Sequence, residues 1–266
     1  MRRLSALLTA GFLLFAAPST RAADWPQIKS RGTLRVLMVQ VGEADEFLRA
    51  GLPPDPGLDG EVLRGFSQLH KIKLELLPQP SWDTLIPGLQ QGKGDLVAGR
   101  FTVTESRQKL VAFSSEVFPS RNVVMTRKPN PIVTSLEALR ALKVGTIRGT
   151  SMAEAVAAAG VPKANVNDSF PPGGLPAGLQ AGQVAAVVLG LESAIAAQRS
   201  DPEIQLGMFL GPPRSLAYAV RREDGELLKT LNEYIDNVRR TPTWNRLVVK
   251  YFGEAALPIL KQARSE

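Results

Sequence analysis

The sequence of 266 residues has no cysteine and a single histidine, His70. Without thiols the chain needs no disulfide machinery, carries no metal–thiolate centre and offers no cysteine for lipid attachment. The lone histidine, in "QLHKIK", falls at a helix end away from any strand tip, so no nucleophile–base pair is legible. Low-complexity tracts are missing as well. Beyond the first residues, charges, Gly or Pro interrupt every apolar run, which excludes a later membrane-spanning helix.

What is present begins with an export signal. Met1-Arg2-Arg3 precedes an almost wholly apolar stretch, residues 4–17, and small residues at Thr20 and Ala22 follow. This is the layout of a secretory signal peptide over residues 1–22, cleaved after about Ala22. The run is too short for a comfortable membrane span. Removing Arg2, Arg3 and Arg21 lowers the formal charge from +7 to +4. Export with a mildly basic surface argues against nucleic acid and fits a small anionic ligand. With 44% hydrophobic and 21% charged residues, the composition is that of a soluble globular protein of one large or two modest domains.

Strand-like and helix-like stretches alternate. Residues 33–39, 72–77 and 95–98 read as strands, 61–69 and 82–89 as helices. This βαβα rhythm predicts a mainly parallel sheet flanked by helices. It restarts after the Pro-rich segment 128–134, which reads as a boundary. Strands over 143–147, 185–189 and 216–220 alternate with helices over 136–142, 151–159, 175–182 and 192–199, and 165–170 reads as an edge strand. The chain ends in helices whose face is formed by Leu227, Leu228, Leu231, Tyr234, Ile235 and Val238.

Two turns sit at carboxyl ends of strands, where open α/β sheets bind ligands. The first, "RFTVTESRQKLVAFS", presents Thr102, Thr104 and Arg107 together. A lone arginine is mostly a surface residue, but hydroxyls, turn N–H groups and a guanidinium fork also make an anion site. The second, "GTIRGTSMAE", passes from a strand at Ile147 into a helix opened by Ser151, whose spacing to Glu154 has the form of a capping box. Its free N–H groups and the helix dipole face an anion, and Gly149 allows close backbone approach. Alone, the first turn also reads as a solvated turn with a surface arginine, and the second as ordinary strand-to-helix capping chemistry.

Taken in order, "GTLRVLMV", "GLDGEVLRGF", "WDTLIPGLQQGKGDLVAGRFTVTESRQKLVAFS", "KVGTIRGTSMAE", "LQAGQVAAVVLG" and "AYAVRREDGELLKTLNEYI" say more. From about Gly32 to Gly253 the chain resembles the amino-acid-type periplasmic solute-binding proteins of ABC transporters, the family 3 extracellular binding proteins. The resemblance implies an α/β fold of two lobes, the type II periplasmic-binding-protein fold, joined by two crossing strands. Lobe one then comprises residues 23–120 and 216–266, and lobe two residues 121–215. It implies a monomer that delivers a small anionic or zwitterionic solute to an inner-membrane ABC permease, with no cofactor, metal or catalysis.

Residue by residue, the resemblance makes Arg107 the grip on the ligand carboxylate and Thr102 the hydroxyl beside it. Gly99 offers a backbone carbonyl to an ammonium, Thr150 or Ser151 the second-lobe anion contact, and Trp82 a pocket wall or a core position. Arg100 stands where the family more often has a small or apolar residue. The aspartate that holds the ligand ammonium aligns with Gly190, and Glu192, Glu43 or Asp45 are substitutes for its charge or simply solvated acids. Two other functions remain open: a sensory module like the non-catalytic domain of certain lytic transglycosylases, and an enzyme like the cyclohexadienyl dehydratases, for which Glu43 is a possible acid.

Overall fold

Asp24 caps two helices at once. Its Oδ1 accepts from the Trp25 N–H at 2.7 Å, starting α1 (Trp25–Arg31), and from the Leu227 N–H at 3.0 Å, at the start of a helix two hundred residues later. An aspartate there satisfies donors that each helix otherwise leaves unpaired. Gly32 ends α1 in the left-handed conformation, φ 71°, which costs glycine little.

The computed structural model describes residues 24–42, 45–51, 53–254 and 256–264. The signal segment and Glu43 lie outside the described residues. After α1 come β1 (Thr33–Val39), α2 (Leu58–Leu69), β2 (Lys73–Gln79), a 3-10 turn at Trp82–Thr84, α3 (Leu85–Gln90), β3 (Leu96–Val97), α4 (Glu105–Gln108) and β4 (Ala112–Phe113). The second lobe holds β5 (Phe118–Arg127), α5 (Leu136–Arg140), β6 (Val144–Gly145), α6 (Ser151–Ala158), β7 (Val166–Asn167), α7 (Leu175–Gln180), β8 (Ala186–Gly190), α8 (Leu191–Ser200) and β9 (Ile204–Leu216). The chain returns through β10 (Ala219–Val220) and finishes with α9 (Gly225–Arg240), α10 (Pro242–Phe252) and α11 (Ala256–Gln262).

Two five-stranded sheets result, ordered β2-β1-β3-β10-β4 and β7-β6-β8-β5-β9. The expectation of mainly parallel sheets needs correcting, because both are mixed. β1 runs parallel to β2 and β3, but β10 is antiparallel to β3 and β4, and β5 is antiparallel to β8 and β9. The physical reason is connectivity: β10 follows β9, and β5 follows β4, through short links with no crossover helix, so each enters its sheet against its neighbours, whereas α8 joins β8 to β9 and leaves those two running the same way. The Pro-rich segment 128–134 is not a boundary either. It links β5 to α5, and β5 already pairs with β8 from Asn122 to Met125.

The first lobe's core lies between its sheet and the helices. α9 buries Leu227, Leu231, Ile235 and Val238, spaced for one helical face, and α2 buries Val62, Leu63 and Phe66. Each fully buried leucine contributes about 1.5–3 kcal/mol. Phe47, Phe118 and Phe252 meet with ring centroids 5.1–5.3 Å apart and tie a loop, the start of β5 and α10 together. A separate cluster of Val124, Leu139, Val144, Val156, Val188 and Leu210 fills the second lobe.

The lobes are connected where β5 and β9 run side by side. Phe118 pairs with Leu216, Pro119 with Ser215 and Ser120 with Arg214, and the register shifts before Asn122. The Phe101–Val103 segment follows the same strand, with Val103 N–H donating to Ser215 O at 2.8 Å and Ala217 N–H to Phe101 O at 3.2 Å. The turn carrying Thr102 and Arg107 is thereby fixed against the connection between the lobes.

Candidate ligand-binding cleft

Arg107 is placed by a single helical turn. Thr104 caps α4 and accepts from the Arg107 N–H at 3.3 Å, which turns the side chain back beneath its own loop. There Nη1 donates to the Thr102 carbonyl at 2.8 Å and Nη2 to the Gly149 carbonyl, from the other lobe, at 2.9 Å. The guanidinium lies over the Phe101 ring, 4.1 Å from its centroid. Only 7% of the residue is exposed. Burial lowers its pKa to about 10, with Glu154 partly opposing, so it stays a cation at neutral pH. Its partners are neutral carbonyls and a ring face; among the described residues no carboxylate forms an ion pair with it.

The second turn arrives from across the cleft. Ser151 Oγ donates to Thr102 Oγ1 at 3.1 Å, joining the two lobes directly above Arg107's anchor. Ser106 Oγ adds a bond to Glu154 Oε1 at 2.7 Å. The capping expectation for Ser151 is overturned by one residue: Thr150 is the cap, accepting from the Ala153 N–H at 3.2 Å while its own hydroxyl donates to Ile147 O. That frees the Ser151 hydroxyl for the cleft and uses up the Thr150 hydroxyl. Glu154 points to Ser106 and closes no capping box. Gly149, φ 76°, lies so near the first lobe that a Cβ there would come within 2.7 Å of the Asp83 amide nitrogen.

Arg100 has other company. Its φ is 57°, a region non-glycine residues seldom occupy. It donates to Asp45 Oδ1 at 2.6 Å and to Glu46 Oε2 at 3.3 Å and lies 5.1 Å from the Phe47 ring centroid. Asp45 Oδ1 also accepts from the Phe47 N–H at 2.7 Å. Gly99 sits behind the wall and is not a cavity-lining residue. Its N–H donates to Asp59 Oδ2 at 3.1 Å, and Tyr218 supplies the second bond to that buried carboxyl, whose pKa burial pushes up to about 7.

The Gly190 position is filled by a neighbour. A Cβ added there would overlap the Glu192 carboxyl. Glu192 is buried in the first turn of α8, within 3.4 Å of Ser120 Oγ, and burial holds its pKa above the usual carboxylate range against the pull of Arg100. One cavity of about 830 Å³ takes in Arg107, Thr102, Ser151, Trp82, Arg100 and Glu192. Trp82 lines this cavity and also belongs to the core cluster that holds Leu85. Sequence reasoning missed Asp59 and Ser120 as residues of the site. Neither belongs to a motif with a chemical signature, and Asp59 reads only as an acid in a helix's first turn. His70 stacks on Trp25 and Phe66 at 4.8 and 4.6 Å, away from the cavity. Among the described residues no cluster of His, Asp or Glu is arranged to hold a metal.

Comparison with known proteins bears on this cleft. The family model for bacterial extracellular solute-binding proteins, family 3, matches residues 56–254. The chain belongs to that family. A probable histidine-binding protein from Neisseria gonorrhoeae is 26% identical, over 74% of this chain and 75% of its own. A crystal structure of a mutant ArgBP from T. maritima superimposes with a TM-score of 0.75 at 28% identity, covering 86% of this chain and 99% of that one. The membrane-bound lytic murein transglycosylase F of Pseudomonas putida KT2440 is 25% identical over 93% of this chain, which spans about half, 52%, of that enzyme. As a family 3 solute-binding protein the chain has the two-lobed α/β fold, and its cavity lies where the lobes meet.

Proposed function

We propose that this family 3 protein captures a small carboxylate-bearing solute, an amino acid or related organic anion, in the periplasm and presents it to an ABC permease. The observation that carries the reading is Arg107, a buried cation oriented by two carbonyls and a ring and ion-paired to no acid among the described residues. A ligand carboxylate accepting from the remaining guanidinium N–H groups, with Thr102 and Ser151 beside it, balances that charge. Lobe closure removes water and strengthens the pair. The basic, apolar first residues serve export, with cleavage after about Ala22 and no cysteine for lipidation. Binding without turnover is favoured because His70 is packed among aromatics instead of facing the cavity. A sensing role is the second reading, supported by the transglycosylase match across 93% of the chain.

Native mass spectrometry of periplasmic protein identifies the retained solute. Calorimetric titration then compares that solute with its carboxamide. The carboxamide is expected to bind at least about 30-fold more weakly, the low end for losing a buried charged partner. Equal binding overturns the reading. Reconstitution with a neighbouring permease separates transport from sensing, since only transport requires uptake.

A further inference from the structure

The cavity extends well beyond the Arg107 cradle. Along α8 its wall includes Glu192, Ser193, Ala196, Ala197 and Ser200, at spacings of one, four, five and eight, which is one face of a helix. Eight residues at the helical rise make this stripe about 12 Å long. Its chemistry changes with distance: the carboxyl of Glu192 and the hydroxyl of Ser193 come first, then two alanines, then Ser200 in solvent. Leu175, Pro176 and Ala177 of α7 and Ile204 of β9 line the same space. Small side chains at 177, 196 and 197 create the room. Among the described residues, the acid that lines the far end, Asp201, is paired with Arg127 at 2.8 Å.

We propose that this stretch is a tail subsite, and that the solute is a carboxylate carrying an extended, uncharged, largely apolar tail of up to about 12 Å, with its head on Arg107. The proposal rests on the carboxylate reading of Arg107 and adds the tail to it. An apolar-walled extension is poorly served by water, and a tail that displaces the water gains the free energy of apolar burial. A cationic tail, as on lysine or arginine, finds no uncompensated acid at the Ser200 end. The buried carboxyl of Glu192 belongs to the head end beside Gly190, within reach of a polar joint such as an amide N–H.

N-acylglycines from acetyl to decanoyl test this, because the carboxylate head stays constant and only the tail grows. By calorimetry the unaltered protein should gain about fourfold in affinity per added methylene until the tail reaches Ser200, and then level off. Ala197→Phe should flatten that dependence. Arg107→Ala should weaken every member alike. Affinity independent of acyl length in the unaltered protein, with N-acetylglycine bound, overturns the tail subsite and leaves the carboxylate reading intact. Length dependence that survives Ala197→Phe overturns the α8 placement. Free amino acids binding while every N-acylglycine fails also overturns the proposal. Tail-dependent binding that Arg107→Ala leaves untouched overturns the carboxylate reading along with it.

Discussion

Two arginines enter the cavity from one turn, seven residues apart. Arg100 meets Asp45 and Glu46, and it sits above the buried carboxyl of Asp59. Arg107 meets two carbonyl oxygens and the face of Phe101. The protein has neutralised the first and left the second charged, although both are largely removed from water. A buried guanidinium that no carboxylate among the described residues pairs with is costly by itself, and on the proposed reading that cost is recovered when a ligand brings the anion. On the proposed reading, the compensated half of the turn serves the fold and the uncompensated half serves binding.

The comparison is broken most directly by removing each arginine in turn. Arg107→Ala should cost about 2–5 kcal/mol of ligand affinity, roughly 30-fold to several thousand-fold. Arg107→Lys should fall between, keeping the charge but losing the planar fork. Arg100→Ala should act on stability, by about 1–3 kcal/mol, because it leaves Asp45 and Glu46 without their partner. Titration calorimetry and urea denaturation on all three variants separate the effects. If Arg100→Ala weakens binding more than Arg107→Ala does, the assignment of the two halves is reversed.

A smaller effect is expected from the second lobe's approach to Arg107. Gly149 supplies the carbonyl that Nη2 uses, and a methyl there would press on the Asp83 backbone. Gly149→Ala carries two penalties, a positive φ and a cross-cleft clash. Gly182→Ala carries only the first, since its φ is 69° and nothing lies within 4 Å of the added Cβ. Overpacking of about 1–3 kcal/mol predicts a loss of affinity of about 5- to 150-fold for the Gly149 variant. The Gly182 variant should lose stability and keep its affinity. Scattering should show that ligand no longer compacts the Gly149 variant. Equal affinities for the two would remove Gly149 from closure.

How much of this was legible in the sequence follows from where the forces are local. β1, α2, α7 and α9 could be read because their apolar spacing matches their buried faces. The connecting strands could not: "FPSRNVVMTR" carries Pro119, Arg121 and Asn122, and "IQLGMFLGPPRSL" carries Gly207, Gly211, Pro212 and Pro213. Such residues read as loop, and only pairing between segments about a hundred residues apart makes them strands. The choice between Thr150 and Ser151 as cap was equally hidden, because adjacent hydroxyls offer the same chemistry and the end of β6 decides. Arg107 was suggested by a motif. Its lack of an acid, and the Glu192 carboxyl in the space beside Gly190, needed three dimensions.

The last comparison probes the compensated half through pH. Asp59 lies under Gly99 with a folded pKa of about 7, against an ordinary 3.8, chiefly because burial disfavours its charge. Between those values the folded protein holds a proton that the unfolded chain releases. Stability from this group is therefore complete below about pH 4, falls as pH rises towards 7, and is level above, with a slope of at most about 1.4 kcal/mol per pH unit. Asp59→Asn keeps an oxygen acceptor and removes the proton. Urea midpoints measured from pH 5 to 8 should converge between the two proteins at low pH and separate as pH rises, with the original protein losing ground. Asp224, which burial raises to about 6, adds the same slope to both and cancels in the difference. Arg100 opposes the shift in Asp59, so adding Arg100→Ala should carry the window above pH 7. Parallel midpoints throughout would mean that Asp59 is ionised in the folded protein, and that Arg100 compensates three carboxylates instead of two.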